Sequence, residues 1–168
     1  KQNLLCSQAV PILLRHRDVL AAAPTGSGKT AAFVLPILAS LAIPAKKKLK
    51  QLRPKSGNST KAGIVRSIIV APTRELATQI QREVCLYSSG IFLSVVFPSA
   101  HCVTFVQVTK LSEGKKFRAV VLSKATMHSV ANNPTDVLVT TPLRLLGALQ
   151  SGQVGDILVD LDRHTRHP

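Results

Sequence analysis

Apolar residues in this chain gather in short unbroken runs and seldom alternate with polar ones. Five runs stand out: Val19–Ala22, Ser67–Ala71, Ala119–Leu122, Val137–Val139 and Ile157–Val159. Such a run suits a strand covered on both faces, as in a parallel sheet. Between them the period lengthens to that of helices over Ala31–Leu41, Glu75–Cys85 and Leu143–Leu149. Alternation of strand and helix predicts an open α/β sheet that binds ligands at the carboxyl ends of its strands. Residues 23–30, 72–75 and 140–142 all fall at such ends, so these loops are expected to share one face.

Two stretches interrupt the pattern. Residues 44–66 carry Lys46, Lys47, Lys48, Lys50, Arg53, Lys55 and Lys61 among Pro, Gly, Ser and Asn. The plain reading is a solvated basic loop, and a grip on RNA phosphates is the alternative. Residues 86–108 hold three of the five Phe and no charged side chain. Pro98, several Ser, His101 and Gln107 break that stretch, so it is a poor membrane-spanning helix. Two strands meeting near Pro98-Ser99-Ala100 are one expectation, and a segment foreign to the fold is the other.

Composition narrows the partners. A chain of 168 residues is expected to form one domain, and 45% hydrophobic content can supply its core. Lys and Arg total 22 against 8 Asp and Glu, a net charge of +14 that favours a polyanion, nucleic acid first. A basic piece of a larger, more balanced protein would look the same. Cys6, Cys85 and Cys102 lie far apart without metal-ligand spacing, which fits reduced intracellular thiols rather than a disulfide or a zinc site. Lys1-Gln2-Asn3 does not open a secretory signal, and no membrane association is expected.

The chemistry concentrates in Ala23, Pro24, Thr25, Gly26, Ser27, Gly28, Lys29 and Thr30, between an apolar run and a helical stretch. This is the pattern of a phosphate-binding loop, with Ala23 where the first Gly usually stands. Gly26 and Gly28 let backbone N–H groups approach phosphate oxygens, and the following helix adds its partial positive charge. Lys29 has the reach for the β- and γ-phosphates, and Thr30 can offer a hydroxyl to Mg²⁺. A Gly/Ser turn before a helix that happens to carry Lys-Thr is the bland alternative.

These residues and two further motifs resemble the DEAD-box family of ATP-dependent RNA helicases. The segment Arg17–Phe33 looks like the family's first motif and its flanks. Pro72-Thr73-Arg74-Glu75-Leu76-Ala77-Thr78-Gln79-Ile80 looks like motif Ia, and Thr141-Pro142-Leu143-Arg144 like motif Ib, with Leu143 where the family usually has Gly. The resemblance implies an incomplete first RecA-like domain over residues 1–168, an open parallel sheet with a basic insert at 44–66 and an apolar one near 86–108. It implies a helicase that hydrolyses ATP with Mg²⁺ and acts on RNA. Residues 23–30 and Gln8 would hold ATP, and Lys29 would neutralise developing charge. Thr30 would ligate Mg²⁺. Pro72, Thr73, Arg74, Glu75, Thr141, Pro142 and Arg144 would hold RNA by its backbone, independent of sequence. Taken singly, Glu75 also reads as a first-turn carboxylate and Arg144 as a helix-surface charge.

The family's paired Gly between motifs Ia and Ib is absent here. With Glu113-Gly114-Lys115-Lys116-Phe117-Arg118, this is similar to a subgroup that serves assembly of the small ribosomal subunit. That implies precursor rRNA as partner and a nuclear or nucleolar place, the cytoplasm being the alternative.

Three departures from the family pattern change what is expected. Cys6 stands at the adenine-binding Gln in Leu5-Cys6-Ser7-Gln8-Ala9-Val10-Pro11. The helix after motif Ia resumes at Thr109–Glu113, as though about twenty residues had been inserted into it. After Val159 the chain reads Asp160-Leu161-Asp162-Arg163 where the family has Asp-Glu-Ala-Asp. Asp160 is still expected to orient Mg²⁺ through water, but Leu161 cannot position and deprotonate an attacking water. The second helicase domain is expected to be missing, and the chain to be inactive alone. Two other readings stay open: a non-catalytic fragment that binds RNA or a partner, and another P-loop ATPase dependent on nucleic acid.

Overall fold

The computed structural model describes residues 4–45, 64–88 and 116–152. The chain divides into two compact units, Lys1–Ala42 with Glu83–Lys116 and Ile43–Arg82 with Phe117–Pro168.

The first unit contains helices α1 (Leu4–Leu13) and α2 (Lys29–Leu41), which pack on each other. Helix α2 buries Ala31, Val34, Leu35, Leu38 and Leu41, an apolar stripe at helical spacing, and adds Ala32 and Pro36 beside it. Cys6, Ala9 and Val10 are buried in α1. The same unit takes in the last turns of α3 (Arg74–Ser88), where the Tyr87 hydroxyl donates to Glu83 Oε2 at 3.4 Å. Burial raises the Tyr87 phenol well above the ordinary tyrosine value, and the adjacent Glu83 charge pushes the same way.

The second unit is built on a parallel sheet of β1 (Val65–Val70), β2 (Ala119–Val121) and β3 (Thr135–Thr140) in the order β1-β3-β2. The open parallel α/β class expected from the apolar runs is the class observed. Central β3 is buried at every residue, which is why its apolar run is continuous. Register pairs Val137 with both Ser67 and Ala119, and Val139 with both Ile69 and Val121. Helix α3 follows β1, α4 (Lys124–Asn132) follows β2, and α5 (Pro142–Gln150) follows β3. Val65, Leu122, Val130, Leu138 and Ala148 form the core cluster, flanked by Ile68, Val120 and Met127. Burying each large aliphatic side chain contributes roughly 1.5–3 kcal/mol.

Helix α4 starts at a capping box. Ser123 Oγ accepts from the Thr126 N–H at 3.2 Å, and Thr126 Oγ1 accepts from the Ser123 N–H at 2.9 Å. Thr stands here where Glu or Gln is usual, so the signal is weak in sequence. Both α4 and α1 lie outside the helices expected.

Among the described residues of this unit, one charged side chain is buried. Asp136, at 1% exposure, lies in β3. Its Oδ1 accepts from the Ala45 N–H at 2.7 Å and from Arg66 Nη1 at 3.0 Å, and its Oδ2 accepts from the Arg118 N–H at 2.9 Å. Arg66 also donates to the Ile43 carbonyl. The Arg118 guanidinium reaches Ser129 Oγ at 2.7 Å and the Pro134 carbonyl at 3.3 Å. A buried carboxylate needs such pairing, because its charge is otherwise too costly to desolvate.

One expected strand is absent. Residues 17–24 have no regular structure, and Leu20 is fully exposed. An apolar run becomes a strand only when a neighbour takes up its backbone N–H and C=O groups. Among the described residues Val19–Ala22 has no ladder partner. The run Ile157–Val159 lies outside the described residues, as do most of the basic insert and all of the apolar insert beyond Ser88. Among the described residues no helix is long and apolar enough to cross a membrane, and Cys6 and Cys85 are free thiols.

Replacing Asp136 by Ala is expected to cost about 3–5 kcal/mol in urea unfolding, since it removes the carboxylate partner of Arg66 and the acceptor of the Ala45 and Arg118 N–H groups. Asn should cost less, because its amide oxygen still accepts. Tyr87 is the sole tyrosine, so absorbance at 295 nm isolates it. It should ionise well above the ordinary value near pH 10. Its folded pKa is raised, so its contribution to stability is whole below about pH 10 and is lost as pH rises beyond it. Ionisation near pH 10 in the folded protein would contradict this packing.

Candidate functional site

The phosphate loop turns as its glycines allow. Gly26 has φ 77° and Gly28 φ 78°, both in the left-handed region that an L side chain enters only with strain. Gly28 is the N-cap of α2 and supplies no side chain to its first N–H groups, which leaves them available to an anion. Lys29, the first residue of α2, bends back over the loop, and its Nζ donates to the carbonyls of Ala23 at 2.5 Å and Pro24 at 2.8 Å. Thr30 follows in the same first turn. The Ser27 hydroxyl is buried without a hydrogen-bond partner among the described residues.

These features fit a polyphosphate. The orphaned Ser27 hydroxyl is a donor with nothing to donate to, the α2 amino end is uncapped, and Lys29 is within reach of the loop it must cross. For Mg²⁺ the described residues supply Thr30, while Asp160 lies outside them.

Cys6 takes part in this loop's surroundings, which its position in sequence does not reveal. Its thiol is buried and points at the Gly28 carbonyl, 3.5 Å away. Gln8 is exposed two positions further along α1. Two helical steps amount to about 200°, so Gln8 and Cys6 face different sides.

The other two loops lie in the second unit and are neighbours. Val70 and Thr140 are register partners at the carboxyl ends of β1 and β3, and the Ala71 N–H bonds the Thr140 carbonyl at 2.8 Å. Pro72, Thr73, Arg74 and Glu75 leave one strand end, and Thr141, Pro142 and Arg144 leave the other. The parallel sheet therefore brings motifs nearly seventy residues apart to one edge, as the sequence led us to expect for this pair.

The two threonines are used differently. Thr73 Oγ1 accepts from the Leu76 N–H at 3.2 Å and so caps α3. Thr141 is the N-cap of α5 but makes no side-chain cap bond, which leaves its hydroxyl and the first α5 N–H groups open. Glu75 sits in the first turn of α3, where a carboxylate complements the helix dipole. Arg74 and Arg144 are exposed, and so is Leu143, at 79%.

A phosphate loop opening α2, and threonine–arginine loops at the carboxyl edge of a parallel sheet, define a P-loop α/β protein suited to nucleotide and nucleic acid. The chain belongs to the DEAD/DEAH box helicase family, which it matches over residues 5–161. It is 40% identical over 144 residues to the Probable ATP-dependent RNA helicase ddx52 of Dictyostelium discoideum, covering 83% of this chain and 15% of that protein. It is 34% identical over 152 residues to the ATP-dependent RNA helicase ROK1 of Lodderomyces elongisporus, covering 88% of this chain and 21% of that protein. The crystal structure of the yeast DEAD-box splicing factor Prp28 superposes with a TM-score of 0.52 at 26% identity, covering 94% of this chain and 33% of that one. The sheet is thus of the RecA-like type, and the chain spans only 15–21% of the two curated relatives named here.

Replacing Ser27 by Ala removes a buried hydroxyl that is unsatisfied in the unliganded fold. The melting temperature is therefore expected to hold or rise, by the equivalent of up to about 1–3 kcal/mol. A clear fall in thermal denaturation would show that the hydroxyl has a structural partner.

Proposed function

We propose that this chain is the nucleotide- and RNA-binding segment of an ATP-dependent RNA helicase, and that it does not turn over ATP by itself. One observation carries the reading: the left-handed turns at Gly26 and Gly28 deliver an uncapped helix end, an orphaned Ser27 hydroxyl and Lys29 to the same short loop. ATP would supply the phosphoanhydride bond whose cleavage drives RNA release. Residues 23–30 hold the phosphates, and Lys29 exchanges the Ala23 and Pro24 carbonyls for phosphate oxygens. Thr30 and Asp160 serve Mg²⁺, the latter through water. Gln8 is the exposed amide of α1 available to the base.

RNA lies across the carboxyl edge. Thr141 and the open α5 end bind phosphate or 2′-hydroxyl groups, and Arg74 and Arg144 add charge without reading bases. Pro72 and Pro142 shape the two loops, Thr73 fixes α3, and Glu75 supports its first turn. The absent paired Gly and the Glu113–Arg118 segment support precursor rRNA as the substrate and the nucleolus as the place.

Leu161 stands where a carboxylate would activate water, so nothing in that position removes its proton. Titration with a fluorescent ATP analogue is expected to show binding that Lys29→Ala weakens at least about tenfold, a loss typical of removing a charged phosphate contact. RNA-stimulated phosphate release by the purified chain should stay at background. Turnover that Lys29→Ala abolishes would overturn the inactive part of the proposal, and absence of nucleotide binding would overturn the whole.

A further inference from the structure

Two clefts flank the amino-terminal half of α3. The smaller, about 320 Å³, lies against β2 and is lined by Gln81, Ser123 and Thr126 together with Arg74 and Thr78. Its polar groups are occupied. Gln81 donates to the Ala119 carbonyl at 3.3 Å, and the Ser123 and Thr126 hydroxyls are bonded to each other at 3.0 Å. That cleft belongs to the packing of the sheet edge.

The larger cleft, about 670 Å³, is lined by Arg74, Glu75, Thr78, Gln79 and Arg82. Arg74 and Arg82 are exposed, and neither guanidinium has a hydrogen bond or ion pair among the described residues. Glu75 is the one carboxylate that lines it. Positions 74, 78 and 82 are spaced by four, so they lie along one face of α3. Thr78 Oγ1 donates to the Arg74 carbonyl at 3.0 Å, so this hydroxyl shapes the floor and leaves ligand contact to the arginines. Eight helical residues rise about 12 Å, which matches three to four stacked nucleotides at about 3.4 Å each.

We infer that Arg82 is a second phosphate contact, which continues the RNA path from the carboxyl edge along α3. The inference rests on the RNA reading of the loops at Arg74 and Arg144. It commits to single-stranded RNA rather than an acidic peptide because Arg74 belongs to both places. The cleft is continuous with the proposed interface and repeats its guanidinium chemistry. Two arginines spaced along one face of a helix can meet successive phosphates regardless of base.

The test is fluorescence anisotropy of the whole chain with a labelled oligouridine of about twelve nucleotides, across a salt series. Arg82→Ala is expected to weaken binding about three- to tenfold and to lower the salt slope by about one, the signature of one lost phosphate contact. Arg82→Gln should behave alike and Arg82→Lys should retain most of the affinity. Arg82 is exposed, so circular dichroism should show all three variants folded as the native chain. Native affinity in Arg82→Ala would overturn the inference, as would a loss of affinity with an unchanged salt slope. Equal RNA binding with weakened binding of polyglutamate would assign the cleft to an acidic protein instead. If the native chain itself bound no RNA, the underlying reading of the edge loops would fall, and this inference with it.

Discussion

The second unit depends on where the Asp136 charge goes. A carboxylate inside a fully covered strand is tolerable only if its lone pairs are met, and they are met by three segments distant in sequence. Ala45 lies 91 residues away, Arg66 lies 70 away and Arg118 lies 18 away. The Arg66–Asp136 pair is of limited value as a source of net stability, because desolvation consumes much of the attraction. Its greater effect is on uniqueness. A shift of β1 against β3 by one residue would move Arg66 off its partner and reverse every side chain of the strand. Register then fixes Val70 beside Thr140, and with them the two loops that leave the carboxyl ends of β1 and β3.

The parts of the fold that were legible in the sequence are those decided locally. The run Val137–Val139 reads as a central strand because both its faces are covered, and no polar position interrupts it. The glycine turns and the helix start at Lys29 fall where the sequence puts them, because turn, charge and helix start are adjacent in sequence. The illegible parts are non-local. Val19–Ala22 has the same composition as the true strands, yet strand formation is settled by a hydrogen-bonding neighbour that composition cannot show. Asp136 looks like a strand boundary until Arg66 is placed opposite it, so β3 begins earlier than its apolar run. Helix α4 announces itself only through a Ser–Thr capping box, and α1 is obscured by Pro11 within it. Cys6 could be aligned with a family motif, but its contact with Gly28 appears only when α1 packs on α2.

The two candidate ligand regions are built from backbone and side chains in different proportions. At residues 23–30 the glycine turns and the uncapped start of α2 are features of the backbone, and Ser27, Lys29 and Thr30 add the few polar side chains. At the carboxyl edge the strand ends set only position, and charge comes from exposed arginines free to adapt. That division matches the ligands proposed above. A triphosphate is small and compact, whereas a single-stranded RNA backbone is long and flexible and repeats the same phosphate at every nucleotide.

The Asp136 junction also divides the sheet by purpose. It sits at the amino end of β3, with Ala45 and Arg66 held there on either side of residues 46–63, while the threonine–arginine loops leave the carboxyl ends. Both ends of that basic stretch are therefore anchored on Asp136, one through the Ala45 N–H and the other through Arg66 within β1. A protein engineer could therefore graft a reporter or an affinity handle between Ala45 and Arg66 and expect the register of β1 on β3 to hold.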